Sequence, residues 1–380
     1  MIQPGATLGI LGGGQLGRMS ILAGRQLGYR FRVFDPKPGG AASMVADGES
    51  NAPYDDEVAL LTFTQGLDAI TFEFENVRAE PLERLAEKLP VHPRPGVLHI
   101  CQNRRREKEF LRASGLPCAD FRVVESLAQL KAAVGELGTP CVLKTADFGY
   151  DGKGQVKITD GANLQAVWSE FNAPVGVVEQ WIPFEKECSV VAARTAAGEV
   201  RCFPMAENVH LNHILHLSIC PARIEKSIQA CGEALACEIA QKLDVVGLIA
   251  VEFFLTREGE LLVNETAPRP HNSGHYTIDA CATSQFEQHI RAVCGLPLGE
   301  PALHTPAVMI NLLGDVWHGQ AARDWTSVLQ HPRAKLHLYD KGEPRTGRKM
   351  GHVTLLAEAG ASDAPIAEAE ALFKVLSAAP

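Results

Sequence analysis

A strand, a glycine turn and a helix open the chain, and this junction restricts the possible folds more than any other feature. Residues 7–11 (Thr-Leu-Gly-Ile-Leu) are a short apolar run that meets Gly12-Gly13-Gly14; Leu16, Met19, Leu22 and Leu27 then recur at helical spacing over 15–27. Phe31–Asp35 reads as a second strand. Residues 67–72 read as another, ending in Glu73-Phe74-Glu75-Asn76, and 79–89 as a helix stopped by Pro90. Strands alternating with helices make the first hundred residues α/β with a parallel sheet. Gly12-x-Gly14-x-x-Gly17, with Asp35 at the end of the next strand, has the spacing of a dinucleotide fingerprint. Three readings of it stay open: a nicotinamide or flavin site, as in an oxidoreductase; another phosphate ligand at the helix N-terminus; or a structural turn, since tight turns select glycine anyway.

The chain has 380 residues, more than one core of ~250–300 residues holds, so two or three domains are expected. The helix opened by Asn103-Arg104-Arg105-Arg106-Glu107-Lys108 and ending at Ser114-Gly115 links the first unit to the next. Short β-branched runs at 121–124, 140–144, 155–158 and 175–179, with helical patterns at 126–137 and 162–171, then suggest a small α+β lid. A long helix near 226–243, a hairpin at 248–265 and a helix near 284–294 follow. Pro297 and Pro301 mark a boundary before a mostly β segment with a helix at 364–377. With 46% hydrophobic and 21% charged residues the chain has the balance of a soluble globular protein. Its net charge of −9 gives no global attraction to nucleic acid or an acidic membrane, so an anion must be bound by a local site. Ten cysteines without a CxxC pair read as reduced thiols. The opening Met-Ile-Gln-Pro-Gly lacks a basic signal region, and no apolar run is long enough to span a bilayer. A cytoplasmic protein with no membrane partner is expected.

Lys144 ends the apolar run Cys141-Val142-Leu143, and Gly149-Tyr150-Asp151-Gly152-Lys153-Gly154 follows five residues later. Glycines let backbone N–H groups approach phosphates while Lys144 and Lys153 supply charge, so this reads as a phosphate cover. In the hairpin, a two-residue turn at Glu258-Gly259 sets Glu252 opposite Glu265. Like charges ~5 Å apart repel unless a cation lies between them, and carboxylates completed by Asn264 and phosphate oxygens suit Mg²⁺. Val177-Val178-Glu179-Gln180-Trp181-Ile182 reads as a strand entering a connector whose backbone can read an adenine edge, and Glu187 could take ribose hydroxyls. His210, His213 and His216 recur every three residues but lack a helix and a supporting carboxylate, which argues against a metal site. Arg269, His271, Asn272 and Ser273 form a dense polar loop after the acidic hairpin. Lys341, Arg345, Arg348 and Lys349 crowd a turn-rich segment, as a solvated basic loop or as a clamp for a sugar phosphate.

The order strand lysine, glycine hairpin, Glu-Gln-Trp-Ile connector and Glu…Asn-Glu hairpin resembles the ATP-grasp ligases. Gly12–Met19, Thr71–Asn76, Gly149–Gln155 and Asn264–His275 are similar, within that group, to the N5-carboxyaminoimidazole ribonucleotide synthetases, and they span nearly the whole chain. The resemblance implies a three-domain ATP-grasp fold: a Rossmann-like pre-ATP-grasp domain (1–102), an ATP-grasp domain (103–298, lid about 118–183) and a small mostly β C-terminal domain (299–380). It implies an ADP-forming ligase, usually a homodimer, that uses ATP, Mg²⁺ and bicarbonate to carboxylate aminoimidazole ribonucleotide in purine biosynthesis. ATP falls to Arg104, Lys144, Gly149, Tyr150, Asp151, Gly152, Lys153, Gly154, Gln155, Glu179, Gln180, Trp181, Ile182, Glu187, His210, Asn264 and Glu265. Mg²⁺ falls to Glu252 and Glu265, and the chemistry to Asp151 and Lys153. The ribonucleotide falls to Gln15, Glu73, Arg269, His271, Lys341, Arg348 and Lys349. A related ATP-grasp enzyme, such as a formate-dependent glycinamide ribonucleotide transformylase, would share the ATP site. Phe148 and His213 stand where the family usually has glycine; neither change removes a lysine or a metal ligand, so activity is expected to survive.

Overall fold

The computed structural model describes residues 1–147, 154–320 and 322–378. The N-terminal sheet is fully parallel, with β1 (Thr7–Leu11), β2 (Arg30–Phe34), β3 (Gly48–Ser50) and β4 (Ala69–Phe72) in the order β3-β2-β1-β4. Both faces of such a sheet are covered, which is why its strands are continuous apolar runs and not alternating ones. Leu8, Ile10, Phe31, Val33 and Phe72 are at most 1% exposed, each contributing roughly 1.5–3 kcal/mol by burial. Because β1 and β4 are neighbours, the turn after Leu11 and the segment after Phe72 lie side by side.

The second sheet is small and antiparallel: β5 (Phe121–Val124), β6 (Cys141–Thr145), β7 (Gln155–Ile158) and β8 (Gly176–Gln180) in the order β5-β8-β6-β7. Helices Leu127–Leu137 and Leu164–Phe171 back it, pressing Leu130, Ala133 and Phe171 into a core with Leu143 and Val178. Ser126 and Asn163 cap these helices, their side chains accepting from first-turn amides. Lys144 lies on β6 between Val177 and Gln155.

The third sheet has nine strands: β9 (Phe184–Arg194), β10 (Val200–Cys202), β11 (Ala206–Leu211), β12 (Ile214–Cys220), β13 (Gly247–Thr256), β14 (Leu261–Ala267), β15 (Ala307–Leu313), β16 (Ala334–Leu338) and β17 (Lys349–Leu356). The order is β14-β13-β9-β11-β12-β15-β17-β16, with β10 added on β9. The strands beyond Pro301 are built onto the central sheet, since Leu217 of β12 pairs with Ile310 of β15. Helix Lys226–Lys242 covers one face through Ala236, Ile239 and Ala240. Helix Gln285–Val293 sends Ile290 into the N-terminal core beside Ile21, which joins the first sheet to the third. Helix Ile366–Ser377 closes the far end with Ala369, Leu372 and Leu376 against Val308 and Leu355. Among the described residues, no helix is long and apolar enough to cross a membrane.

Candidate active site

The glycine turn is filled from within. The Glu73 carboxylate accepts from the backbone N–H of Gly14 and, at 2.7 Å, from that of Gly17, while the N–H of Gly13 donates to Asp35 Oδ2 at 2.7 Å. Asp35 also accepts the Tyr54 hydroxyl at 2.9 Å. The amides and the carboxylate that a dinucleotide requires are therefore engaged with each other, and a side chain at Gly12 or Gly14 would collide with Glu73. That argues against the nicotinamide reading and explains the glycines: they make room for a buried carboxyl. Burial pushes the Glu73 carboxyl above its usual range, with the Gly17 and Gly14 amides and Lys341 acting against it. At the same rim Lys341 Nζ donates to Gln15 Oε1 at 2.8 Å; burial and Arg348 push the ammonium down to about 8, opposed by Glu73.

The acidic hairpin places Glu252 opposite Glu265, as expected, but by a different route. Thr256 N–H donates to the Glu260 carbonyl at 2.9 Å around a three-residue loop with Gly259 at φ +85°. That shifts the register by one, to Leu255↔Leu261 and Phe253↔Val263, and a β-bulge then restores it. The extra residue is Asn264, so Asn264 and Glu265 together oppose Glu252. Among the described residues, Asn264 Oδ1 is buried without a hydrogen-bond partner.

Helix Arg104–Ala113 holds this bulge. Lys108, 0% exposed, donates from Nζ to the Val263 and Asn264 carbonyls at 3.2 and 3.0 Å and lies 3.6 Å from Glu179 Oε2. Glu107 accepts from Thr266 N and Oγ1 at 2.5 and 2.6 Å. Arg104 spans the site, with Nη1 at 3.1 Å from Glu179 and Nη2 at 3.2 Å from Glu265. Lys144 Nζ meets Glu179 Oε2 at 3.1 Å. Burial works against the Glu179 charge, yet Lys108, Lys144 and Arg104 hold its carboxyl well below the usual range. Burial pushes Lys144 down to about 8, with Glu179 opposing. Sequence reasoning took Glu179 as part of an adenine-reading connector and passed over Lys108. The available signal was spacing, because Lys108 is one helical turn from Arg104 on the same face.

Around this centre, Glu187 Oε2 and His210 Nδ1 are 2.8 Å apart; burial lowers the His210 pKa, but Glu187, Glu252 and Glu265 outweigh it and raise it. His213 sits at the exposed β11–β12 tip and His216 packs against Phe373, so the three histidines do not converge. Gln180 N–H donates to the Asp120 carbonyl at 2.8 Å, and the Ile182 carbonyl accepts Phe184 N–H at 2.9 Å. Lys157 Nζ lies 3.5 Å from the centroid of the Trp181 ring, and Phe184 stacks on Phe254 at 4.7 Å; neither contact has a local sequence signature.

On the other side His271 Nε2 is 3.2 Å from Glu252 Oε1, and Arg269 Nε is 2.7 Å from Glu75 Oε1. Burial, Arg269 and Lys349 hold the His271 pKa well below its usual value, and burial with Glu265 raises the Glu252 carboxyl above its usual range. Arg348 Nη1 donates to the Glu343 carbonyl at 3.1 Å, and Lys349 starts β17. Gly154, at φ +75°, accepts Thr145 N–H at 2.8 Å, and Gln155 pairs with Lys144. Phe148, Gly149, Tyr150, Asp151, Gly152 and Lys153 lie outside the described residues.

Known families match in the order of these units: a ribonucleotide synthetase preATP-grasp domain at 5–102, an ATP-grasp domain at 109–286, and a phosphoribosylaminoimidazole carboxylase C-terminal domain at 307–363. The N5-carboxyaminoimidazole ribonucleotide synthase of Bacillus subtilis is 46% identical over 358 residues, covering 94% of this chain and 93% of that one. The chain belongs to the N5-carboxyaminoimidazole ribonucleotide synthase family. A solved ADP complex of an N5-carboxyaminoimidazole ribonucleotide synthetase matches it with a TM-score of 0.93 at 45% identity, over 99% of this chain and 97% of that one. The Aspergillus clavatus N5-carboxyaminoimidazole synthase, solved with ADP and 5-aminoimidazole ribonucleotide, matches with a TM-score of 0.87 at 30% identity, over 98% and 97%.

Proposed function

We infer that the chain carboxylates 5-aminoimidazole ribonucleotide with ATP and bicarbonate, yielding N5-carboxyaminoimidazole ribonucleotide, ADP and phosphate in purine biosynthesis. The observation that carries this reading is the join between two clusters: the Arg104–Lys144–Glu179 group with its acidic hairpin, and the Gln15–Glu73–Lys341 rim. His271 touches Glu252 of the first, and the charge of Lys349 adds to burial in lowering the pKa of both His271 and Lys341. One end suits a nucleoside triphosphate and the other a sugar phosphate.

In this reading ATP lies against Lys144, Arg104, Gly149–Gln155 and Asn264, with the Glu179–Ile182 connector at adenine and Glu187 with His210 at ribose. Glu252, Glu265 and Asn264 Oδ1, unpartnered among the described residues, fit Mg²⁺, since a cation relieves the Glu265 repulsion that adds to burial in raising the Glu252 carboxyl. The ion, when bound, supplies neutralising charge to the phosphate oxygens. Bicarbonate oxygen attacks the γ-phosphorus of ATP and ADP leaves, with Lys144 and Lys153 spreading the charge and Asp151 beside the reacting groups. The resulting carboxyphosphate releases CO₂ and phosphate within the site. The exocyclic amine of the ribonucleotide captures the CO₂ as a carbamate and loses a proton. Gln15, Glu73, Arg269 and His271 orient that substrate, and Lys341, Arg348 and Lys349 take its phosphate.

The same proposal includes domains divided near 102 and 298, and a cytoplasmic homodimer, consistent with ten free cysteines. Turnover with ¹⁸O-bicarbonate tests the chemistry. Label is expected in the released phosphate, and unlabelled phosphate alongside normal product would rule out carboxyphosphate.

A further inference from the structure

We propose that Cys202 and Cys237 are an oxidisable pair that closes into an intramolecular disulfide, a modification site away from the ATP and ribonucleotide clusters. Cys202 ends β10, the strand added on β9, and Cys237 lies on helix Lys226–Lys242, which packs over that part of the sheet. Their sulfurs are 2.9 Å apart, one thiol hydrogen-bonding to the other. Both residues are half-buried, with Cys202 against the core and Cys237 the less enclosed of the two. The sulfurs already touch, so bond formation shortens an existing contact. With Cys202 as donor, the hydrogen bond lowers the Cys237 pKa, burial and Glu233 opposing, and raises that of Cys202, so Cys237 is assigned as the attacking sulfur.

The co-reactant is a low-molecular-weight disulfide such as glutathione disulfide. Cys237 thiolate attacks one of its sulfurs, forming a mixed disulfide and expelling one glutathione thiolate. Cys202, after losing its proton, then attacks the Cys237 sulfur and expels the second. Two protein thiols are oxidised and one disulfide reagent is reduced to two thiols. Cys231, exposed on the same helix, serves as a reference because no thiol hydrogen bond is recorded for it among the described residues.

The test exposes the full-length native protein to glutathione disulfide, blocks remaining thiols with an alkylating agent, and maps peptides by mass spectrometry. The expected result is a crosslinked pair of peptides containing Cys202 and Cys237, while Cys231 carries a single glutathione. In Cys202→Ser, Cys237 is expected to stop at the mixed disulfide, which separates a resolving role for Cys202 from general reactivity. Alkylated Cys202 and Cys237 in a sample where Cys231 is glutathionylated would overturn the proposal, as would glutathione retained on Cys237 in the wild-type chain.

Discussion

Glu179 is the hub of the proposed ATP site. Its single carboxylate meets three cations in a buried setting, so each cation removed leaves charge uncompensated. Lys144→Ala is expected to lower ATP-dependent ADP formation by about 10²–10³-fold, the scale of losing one charge-stabilising donor, with the circular dichroism spectrum unchanged; normal turnover would remove Lys144 from the site. A pH profile gives a second check. The Lys144 pKa is lowered, so its charge is present below about 8 and lost as pH rises through that value. The kcat/KM for ATP reports the free enzyme, and its alkaline limb is expected near that pH and further up in Lys144→Arg. Lys108→Met is expected to cost about 3 kcal/mol of stability in urea unfolding, as a broken buried pair does, and to raise KM for ATP because the carbonyls beside Asn264 lose their donor. A variant as stable as wild type would contradict the positioning role.

At the scale of elements, the hairpins show what sequence pattern captures and what it misses. The strand and helix runs were legible because burial imposes period and composition: the apolar stretch before Gly12 and the spacing of Leu16 and Met19 mark their elements correctly. The Glu252–Glu265 pairing was legible only because two unseen irregularities cancel, a longer loop at Arg257–Gly259 and a bulge at Asn264. Bulges arise from tertiary demands, here the Lys108 bonds to the freed carbonyls, and leave no local signature. The glycine turn was ambiguous for the same reason, because the carboxylate that fills it, Glu73, arrives from a strand about sixty residues later. At the β11–β12 tip, Asn212 and His213 both have positive φ, 50° and 64°. Glycine holds that conformation without a side-chain penalty, so His213→Gly is expected to stabilise the protein by about 0.5–1 kcal/mol. A lower thermal midpoint would show that the histidine makes a compensating contact.

The whole molecule derives its site from sheet continuity that no local pattern encodes. β15 joins β12, and β17 brings Lys349 and the segment before it, with Lys341 and Arg348, back across the sheet toward the N-terminal glycine turn. Helix Gln285–Val293 ties that turn's domain to the sheet carrying Glu252. The two substrate ends therefore depend on contacts between residues as far apart as Gln15 and Lys341, which the basic segment alone left undecided between a clamp and a solvated loop. The most direct measurement is ADP release at neutral pH from Mg-ATP and bicarbonate, with and without 5-aminoimidazole ribonucleotide. Strong stimulation by the ribonucleotide is expected, lost when bicarbonate is withdrawn. ATP binding with no stimulation by this acceptor would contradict the assigned substrate and leave an ATP-grasp ligase of different acceptor specificity.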